Sequence, residues 1–174
     1  VGYDLYCKML SEAVKEAKGI HTMEDFETTI DLNMDAFIPD SYISNEYQKL
    51  DIYKRIAGIE TQQDYDDMLE ELLDRFGEMP KAVMNLLSIA RMKALAHRCY
   101  VTEIKQIGRD MKITLYENAK LNPVGIPALM QKYRRGLQFK NEQEPKILFT
   151  PEGSGNVLTA LTDLLTELEQ LVEE

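Results

Sequence analysis

The sequence predicts an α+β fold: a helix-rich single domain with a small, largely antiparallel sheet. In six segments apolar residues recur every three to four positions, which is typical of amphipathic helices. Shorter segments, mostly after residue 100, alternate apolar and polar residues as strands do. With 174 residues, 44% of them hydrophobic, the chain is long enough to bury a substantial core.

The first 100 residues are predicted to be mainly helical. Capping residues and glycines indicate helices at about 3–18, 44–57, 62–76 and 80–97. The second begins near Ser44 or Asn45, Thr61 is a good N-cap for the third, and Pro80 suits the first position of the fourth. One strand at 28–32 interrupts them, because its first residues are β-branched and alternate.

The remaining residues, about 101–174, are predicted to form hairpins and helices. Val101–Gln106 and Met111–Tyr116 alternate around Gly108, which favours a hairpin. A helix follows at about 126–135, then strands at 137–139 and 146–149, and a last helix at about 156–173. Hairpin plus helix therefore occurs twice, as the second part of one domain.

Catalytic, metal and cofactor sites are not indicated anywhere in the sequence. Cys7 and Cys99 are far apart, which argues against a zinc module or a disulfide scaffold and fits a reducing cytoplasm. His21 and His97 are the two histidines, and His97 is two positions from Cys99, so on a helix they point to different faces. We expect a structural role for His97, no catalytic residue and no cofactor in this chain.

A glycine-containing segment at 151–156 precedes the last predicted helix, as phosphate-binding loops do. It lacks the Lys and the Ser/Thr of a Walker loop. The sequence therefore predicts a turn in which Ser154 or Asn156 caps the helix. No apolar run approaches the length of a membrane span, and the N-terminus has no signal-peptide pattern.

The charge of the chain is strongly segregated. The formal net charge is −10, which argues against autonomous nucleic-acid binding. Residues 60–78 carry −7 and residues 141–174 carry −7, whereas residues 79–140 carry +9. Within that basic middle, Lys132, Arg134 and Arg135 cluster around Tyr133. These bases either form a nucleic-acid patch or balance the acidic helices within the fold.

The predicted helix at 62–76 has its carboxylates on one face. At about 100° per residue they fall in one narrow stripe, roughly opposite the apolar residues. This acidic stripe comprises Asp64, Asp67, Glu71, Asp74 and, just beyond the helix, Glu78. Like charges at this spacing repel by roughly 0.2–0.5 kcal/mol per pair. A solvated face is the common explanation, and a basic docking partner is the alternative.

Three stretches together resemble one protein family. GYDLYCKML at 2–10 is similar to the segment after the translocation motif of bacterial transcription-repair coupling factors, the Mfd proteins. IPD at 38–40 with YKRIA at 53–57 resembles a run in their C-terminal domain. EELLDRFGEMP at 70–80 resembles the signature EL-DRFG--P, and LSIAR at 87–91 its continuation.

The resemblance implies a cytoplasmic parent protein that uses ATP and Mg²⁺ in helicase-type motor domains to translocate on double-stranded DNA. Such a parent binds stalled RNA polymerase and recruits UvrA for nucleotide excision repair. Its C-terminal domain folds back on a UvrB-like module, masks the UvrA-binding surface, and restrains ATPase and translocation. The absent initial Met and the predicted helix at the very start agree with a piece of a longer protein.

In that family, acidic residues of the DRFG helix form salt bridges with the UvrB-like module. The matching positions are Glu71 and Asp74, to which helix geometry adds Asp67 and Asp64. The resemblance thus implies an autoinhibitory C-terminal domain, which we expect to be non-catalytic because no catalytic motif is present. Two alternatives remain: a stand-alone acidic protein-interaction module, or an accessory nucleic-acid-binding domain that uses the basic middle.

Overall fold

The computed structural model of the chain describes residues 26–153 and 155–173, so the predicted helix at 3–18 lies outside the described residues. Within them the chain forms five α-helices and five β-strands, which confirms the α+β prediction. In chain order these are β1 (Thr29–Asp31), α1 (Glu46–Ala57), α2 (Gln62–Phe76), α3 (Lys81–Arg98), β2 (Val101–Ile107), β3 (Asp110–Leu115), α4 (Ile126–Tyr133), β4 (Leu137–Lys140), β5 (Lys146–Phe149) and α5 (Val157–Glu169).

The strands form one sheet in the order β1-β2-β3-β5-β4. The β2–β3, β3–β5 and β4–β5 pairs are antiparallel, whereas β1 runs parallel to its neighbour β2. The prediction of a small, largely antiparallel sheet is therefore confirmed. Both predicted hairpins form, and each is followed by a helix.

The described chain divides into two compact units. One contains Met34–Ala94, which includes α1, α2 and most of α3. The other contains Phe26–Asn33 and the described residues from Leu95 onward, which include the whole sheet, α4 and α5. The side chains that are fully buried in the first unit include Ile43, Ile52, Ile56, Leu72, Leu87 and Met92.

The two faces of the sheet differ in character. On one face, a row of apolar side chains crosses the strands in register: Ile104, Ile113 and Ile147, which are buried, and Phe139, which is half-buried. The buried leucines of α5 belong to the same unit. The residues in register on the other face are Lys105, Lys112, Leu148 and Gln138, which are exposed or half-buried.

Local capping explains where several helices begin. The side chain of Asn45 accepts a hydrogen bond from the Gln48 amide, and that of Asn156 accepts one from the Leu158 amide, both at 2.9 Å. Asn156 is one of the two predicted caps. Helix α3 begins at Lys81, one position later than predicted, because the Pro80 carbonyl accepts the first hydrogen bonds from Val83 and Met84.

Two predicted helices end earlier than expected. Helix α5 ends at Glu169 rather than near Glu173, because the residues beyond it form backbone hydrogen bonds with a distant segment of the chain. The Leu171 carbonyl accepts from the Asn122 amide, and the Glu173 amide donates to the Lys120 carbonyl. Helix α4 ends at Tyr133, and residues 134–136 form a 3₁₀ turn.

Candidate functional site

The start of α2 is fixed by a reciprocal cap between Thr61 and Asp64. The Thr61 hydroxyl oxygen accepts from the Asp64 amide at 3.0 Å, and the Asp64 carboxylate accepts from the Thr61 amide at 3.2 Å. The same carboxylate accepts from the Glu60 amide at 3.1 Å. This arrangement satisfies amides that a helix start otherwise leaves without partners. Asp64, one of the predicted docking residues, therefore also holds the helix start together.

Asp66 and Asp67, the next carboxylates along α2, each accept a hydrogen bond from a glutamine four residues earlier. Asp66 accepts a hydrogen bond from the Gln62 side-chain amide at 3.0 Å, and Asp67 accepts one from that of Gln63 at 2.7 Å. Both carboxylates are exposed. They differ in direction by about 100°, so that Asp67 lies in the acidic stripe and Asp66 lies outside it.

Glu71 is the most strongly engaged carboxylate of the stripe. Both of its oxygens accept hydrogen bonds from the guanidinium of Arg55 at the end of α1. Arg75, one turn further along α2, donates to Glu71 Oε2 at 2.9 Å. The hydrogen bonds from Arg55, which have the largest effect, and from Arg75 lower the pKa of Glu71 from 4.5 to about 2.

The sequence alone did not indicate Arg55 as a partner of Glu71. The signal that could have found it is the short connection 58–61, because helices joined by a few residues are usually antiparallel neighbours. A short connection keeps the two helices adjacent, so that a long side chain near the end of α1 can reach a carboxylate on α2.

Asp74 is exposed, and no described side chain forms an ion pair or hydrogen bond with it. The same holds for Glu70 and Glu78. On the acidic side of α2, some carboxylates are thus bound within the fold, and others form no ion pair or hydrogen bond with a described side chain. The exposed carboxylates from α2 to the residue just past Gly77 are Asp64, Asp66, Asp67, Glu70, Asp74 and Glu78.

The opposite side of α2 is anchored in its own unit. Met68 and Leu72 are buried. The Tyr42 hydroxyl lies within hydrogen-bond distance of the Leu72 carbonyl, at 3.1 Å, and of the Gly77 carbonyl, at 2.8 Å. Its ring packs against Phe76 with centroids 5.8 Å apart. These contacts fix which side of α2 faces the core, and the acidic stripe therefore lies on the side that faces away from it.

The basic cluster predicted around Tyr133 is partly neutralised. Lys132 forms an ion pair with Glu167 of α5. Burial, and then the nearby Glu167 carboxylate, raise the pKa of the Tyr133 hydroxyl. Arg134 and Arg135 lie exposed in the 3₁₀ turn that follows α4. One of the three predicted cations is thus bound within the fold.

His97 and Cys99 contact different parts of the second unit. The Thr28 hydroxyl donates to the Val101 carbonyl at 2.7 Å, so its oxygen accepts from His97 Nδ1 at 3.1 Å. Cys99 is buried and its thiol donates to the Leu165 carbonyl at 3.3 Å. Burial raises the pKa of the thiol to about 12, which keeps it protonated.

Neither a metal cluster nor a membrane span occurs in the part of the chain that the structure describes. No three or more His, Cys, Asp or Glu side chains in residues 26–153 and 155–173 are grouped to hold a metal ion. None of the described helices is long and apolar enough to cross a membrane.

Comparisons with known proteins agree with this fold. A family model described as the TRCF domain matches residues 32–126. The transcription-repair-coupling factor of Bacillus subtilis (strain 168) is 42% identical over 120 residues, which is 68% of this chain and 10% of that protein. The same-named protein of Staphylococcus haemolyticus is 40% identical over 121 residues, again 68% of this chain and 10% of that protein. The chain thus spans about a tenth of the length of these curated relatives.

A solved structure matches over most of the chain. It is a crystal structure of the C-terminal domain of a transcription-repair coupling factor, with a TM-score of 0.69 and 25% identity. The match covers 87% of this chain and 98% of that one. The family match spans α1, α2 and α3 and the β2–β3 hairpin, and the structural match extends beyond it. The chain therefore belongs to the TRCF-domain family and is a C-terminal domain of a transcription-repair coupling factor.

Proposed function

We propose that this chain is a non-catalytic, autoinhibitory domain of an ATP-dependent DNA translocase that couples transcription to nucleotide excision repair. It docks through the acidic stripe of α2 on the UvrB-like module of the same protein. Docking covers the UvrA-binding surface and restrains ATPase and translocation until the parent engages RNA polymerase and DNA. The observation that carries this proposal is the set of exposed, available carboxylates on a helix whose other side is anchored.

The carboxylates of the stripe contribute unequally to such docking. Asp67 and Asp74 are exposed and face solvent, so a partner's Lys or Arg reaches them without breaking an ion pair. Glu71 is already held by two guanidinium groups, and its role is to share its charge with a third cation or to order the helix. Asp64 contributes charge while its carboxylate caps the helix.

The energetics suit a reversible contact. An exposed ion pair contributes about 0.2–1 kcal/mol, so several pairs with some apolar contact are needed to hold the docked state. A closed state favoured by about 3 kcal/mol is populated to roughly 99%. A competing partner that binds the open state can still reverse that preference.

Binding to a purified UvrB-like module tests the docking surface. Asp67→Lys with Asp74→Lys places two positive charges in the stripe, whereas Asp66→Lys with Glu152→Lys makes the same charge change outside it. Asp66 is the matched control for Asp67, because each accepts a hydrogen bond from a glutamine four residues earlier. We expect the stripe variant to weaken binding at least tenfold, or about 1.4 kcal/mol, and the control to change it little.

The salt dependence completes that experiment. Wild-type binding should weaken as the salt concentration rises from about 50 to 300 mM, because the contacts are exposed charges. Equal affinities of the two double variants would exclude the stripe as the contact face. The non-catalytic part has its own test: ATP turnover that copurifies with this chain through every step would contradict it.

A further inference from the structure

Glu71 of the acidic stripe is already neutralised within its own unit. Both of its oxygens accept hydrogen bonds from Arg55, and Oε2 accepts a further one from Arg75 at 2.9 Å. A carboxylate offers about four lone-pair sites, so these three hydrogen bonds leave little room for another donor. Two positive charges also stand against one negative charge at this point. A partner's cation therefore gains little from Glu71 unless one arginine moves away.

Arg55 is the arginine whose departure would free most of Glu71. It contacts both oxygens, whereas Arg75 donates to Oε2 from one turn further along the same helix. The side chain of Arg55 is 41% exposed, so it can leave Glu71 without opening the core. Without Arg55, Glu71 Oε1 would have no donor among the described residues, and a cation from outside could reach it.

Asp51 offers Arg55 a second partner. It is exposed and lies one turn before Arg55 on α1, and side chains four residues apart on a helix are close enough to pair. The hydrogen bond to Glu71, which has the largest effect, and the charges of Glu71 and Asp51 raise the pKa of the Arg55 guanidinium. The charge of Asp51 thus already acts on Arg55 while Arg55 is bound to Glu71.

We propose that Arg55 is a built-in competitor for the docking site. It holds Glu71 while the domain is undocked, and it moves to Asp51 when a partner's cation takes Glu71. This inference rests on the proposed function, because it concerns the regulation of the same acidic stripe. The competition limits how tightly the stripe binds a basic surface, which keeps the docked state reversible.

Binding of the whole chain to a purified UvrB-like module tests the competition. Arg55→Gln frees Glu71 and removes one positive charge from the site, so binding should tighten about two- to fivefold, the equivalent of one exposed ion pair. Arg98→Gln is the matched control. Arg98 is also exposed and paired with a glutamate, Glu169, but it lies in the other unit, so its loss should leave the affinity unchanged.

Two further variants locate the effect. Arg55→Gln with Glu71→Gln has the formal charge of the wild type and should bind like it, because the gain requires the freed carboxylate. Asp51→Asn should weaken binding about twofold, since it removes the second partner of Arg55. In the Arg55→Gln background the same change should have no effect, because no arginine has to move. An Asp51→Asn effect that persists there would exclude the transfer to Asp51.

The wild-type chain provides a readout that does not depend on the folding of a variant. The NMR signal of the Arg55 Nε–H should shift as the UvrB-like module is added and stay shifted at saturation. An unchanged Arg55 signal at saturation would overturn the proposal.

Failure of this inference can be told from failure of the proposed function. If Asp67→Lys with Asp74→Lys weakens binding but Arg55→Gln does not tighten it relative to Arg98→Gln, the competition is wrong and the docking face is right. If Asp67→Lys with Asp74→Lys binds as its control does, the docking face itself is wrong.

Discussion

Arg55 at the end of α1 and Glu71 in the middle of α2 form a two-pronged ion pair, in which the two terminal guanidinium nitrogens, Nη1 and Nη2, donate to the two carboxylate oxygens. Arg55 belongs to the YKRIA run at 53–57, and Glu71 belongs to the EELLDRFGEMP stretch at 70–80. Two of the three stretches that carry the family resemblance are therefore joined by a direct contact within one unit. Part of their role is to hold α1 and α2 together.

The Arg55–Glu71 pair should make stability depend on pH. The pKa of Glu71 is lowered from 4.5 to about 2, so its stabilising effect is fully present above about pH 4.5 and is lost as the pH falls towards 2. At pH 7 we expect Glu71→Gln to lower the free energy of unfolding by about 1 kcal/mol. The difference from wild type should shrink through the window from 4.5 to 2.

Urea unfolding across that pH range measures this difference. Asp74→Asn is the control, because no described residue pairs with Asp74 and its removal should cost little at any pH. Stability curves for wild type and Glu71→Gln that coincide at every pH would show that the ion pair contributes nothing.

The contribution of the Thr61 cap to the free energy of unfolding should also be measurable by urea unfolding. Thr61→Ala removes the acceptor for the Asp64 amide and should lower the free energy of unfolding by about 1 kcal/mol. Thr61→Ser keeps a hydroxyl at the same place and should retain most of that stability. If Ser and Ala substitutions were equally destabilising, the hydroxyl would not be the cause.

Gly136 should not tolerate a side chain. A Cβ added there would lie 2.9 Å from the carbonyl oxygen of Thr150, a backbone atom that cannot move aside without disturbing the sheet. The Gly136 carbonyl also accepts from the Thr150 amide at 2.7 Å, and this hydrogen bond holds the two backbone segments close together. We expect Gly136→Ala to cost about 1–3 kcal/mol. Gly155→Ala, where a Cβ meets nothing within 4 Å, should be close to neutral.

The Cys99 thiol should be unreactive in the folded protein. Burial raises its pKa to about 12, so almost no thiolate is present near pH 8. In a Cys7→Ser background, a thiol reagent should label Cys99 only as urea unfolds the chain. Labelling of the native protein at the rate of an exposed thiol would contradict the buried position.

The helix starts could be predicted from sequence because their causes are local. Asn45, Thr61 and Asn156 each cap a helix through an amide two or three residues away. The partner of β1 could not be predicted, because Thr29 pairs with Glu103 across more than 70 residues and no local pattern encodes that pairing. The ends of α4 and α5 were also missed, since backbone contacts with distant residues terminate α5.

The candidate site, like the fold, could be predicted from the sequence only in part. The acidic stripe follows from the helical repeat alone, so its residues could be predicted once the helix was recognised. Which carboxylates remain available could not, because that depends on Arg55 from another helix and on the cap formed by Asp64. Residue spacing predicted the direction of the charges but not their partners.

The most direct test of the account is the ATPase rate of a complete parent protein that carries this domain. With Asp67→Lys and Asp74→Lys in the stripe, the account predicts a faster basal ATPase and UvrA capture without RNA polymerase. The control with Asp66→Lys and Glu152→Lys should behave as wild type. A parent whose ATPase and UvrA capture stay at the wild-type level when the stripe is reversed would contradict autoinhibition through α2.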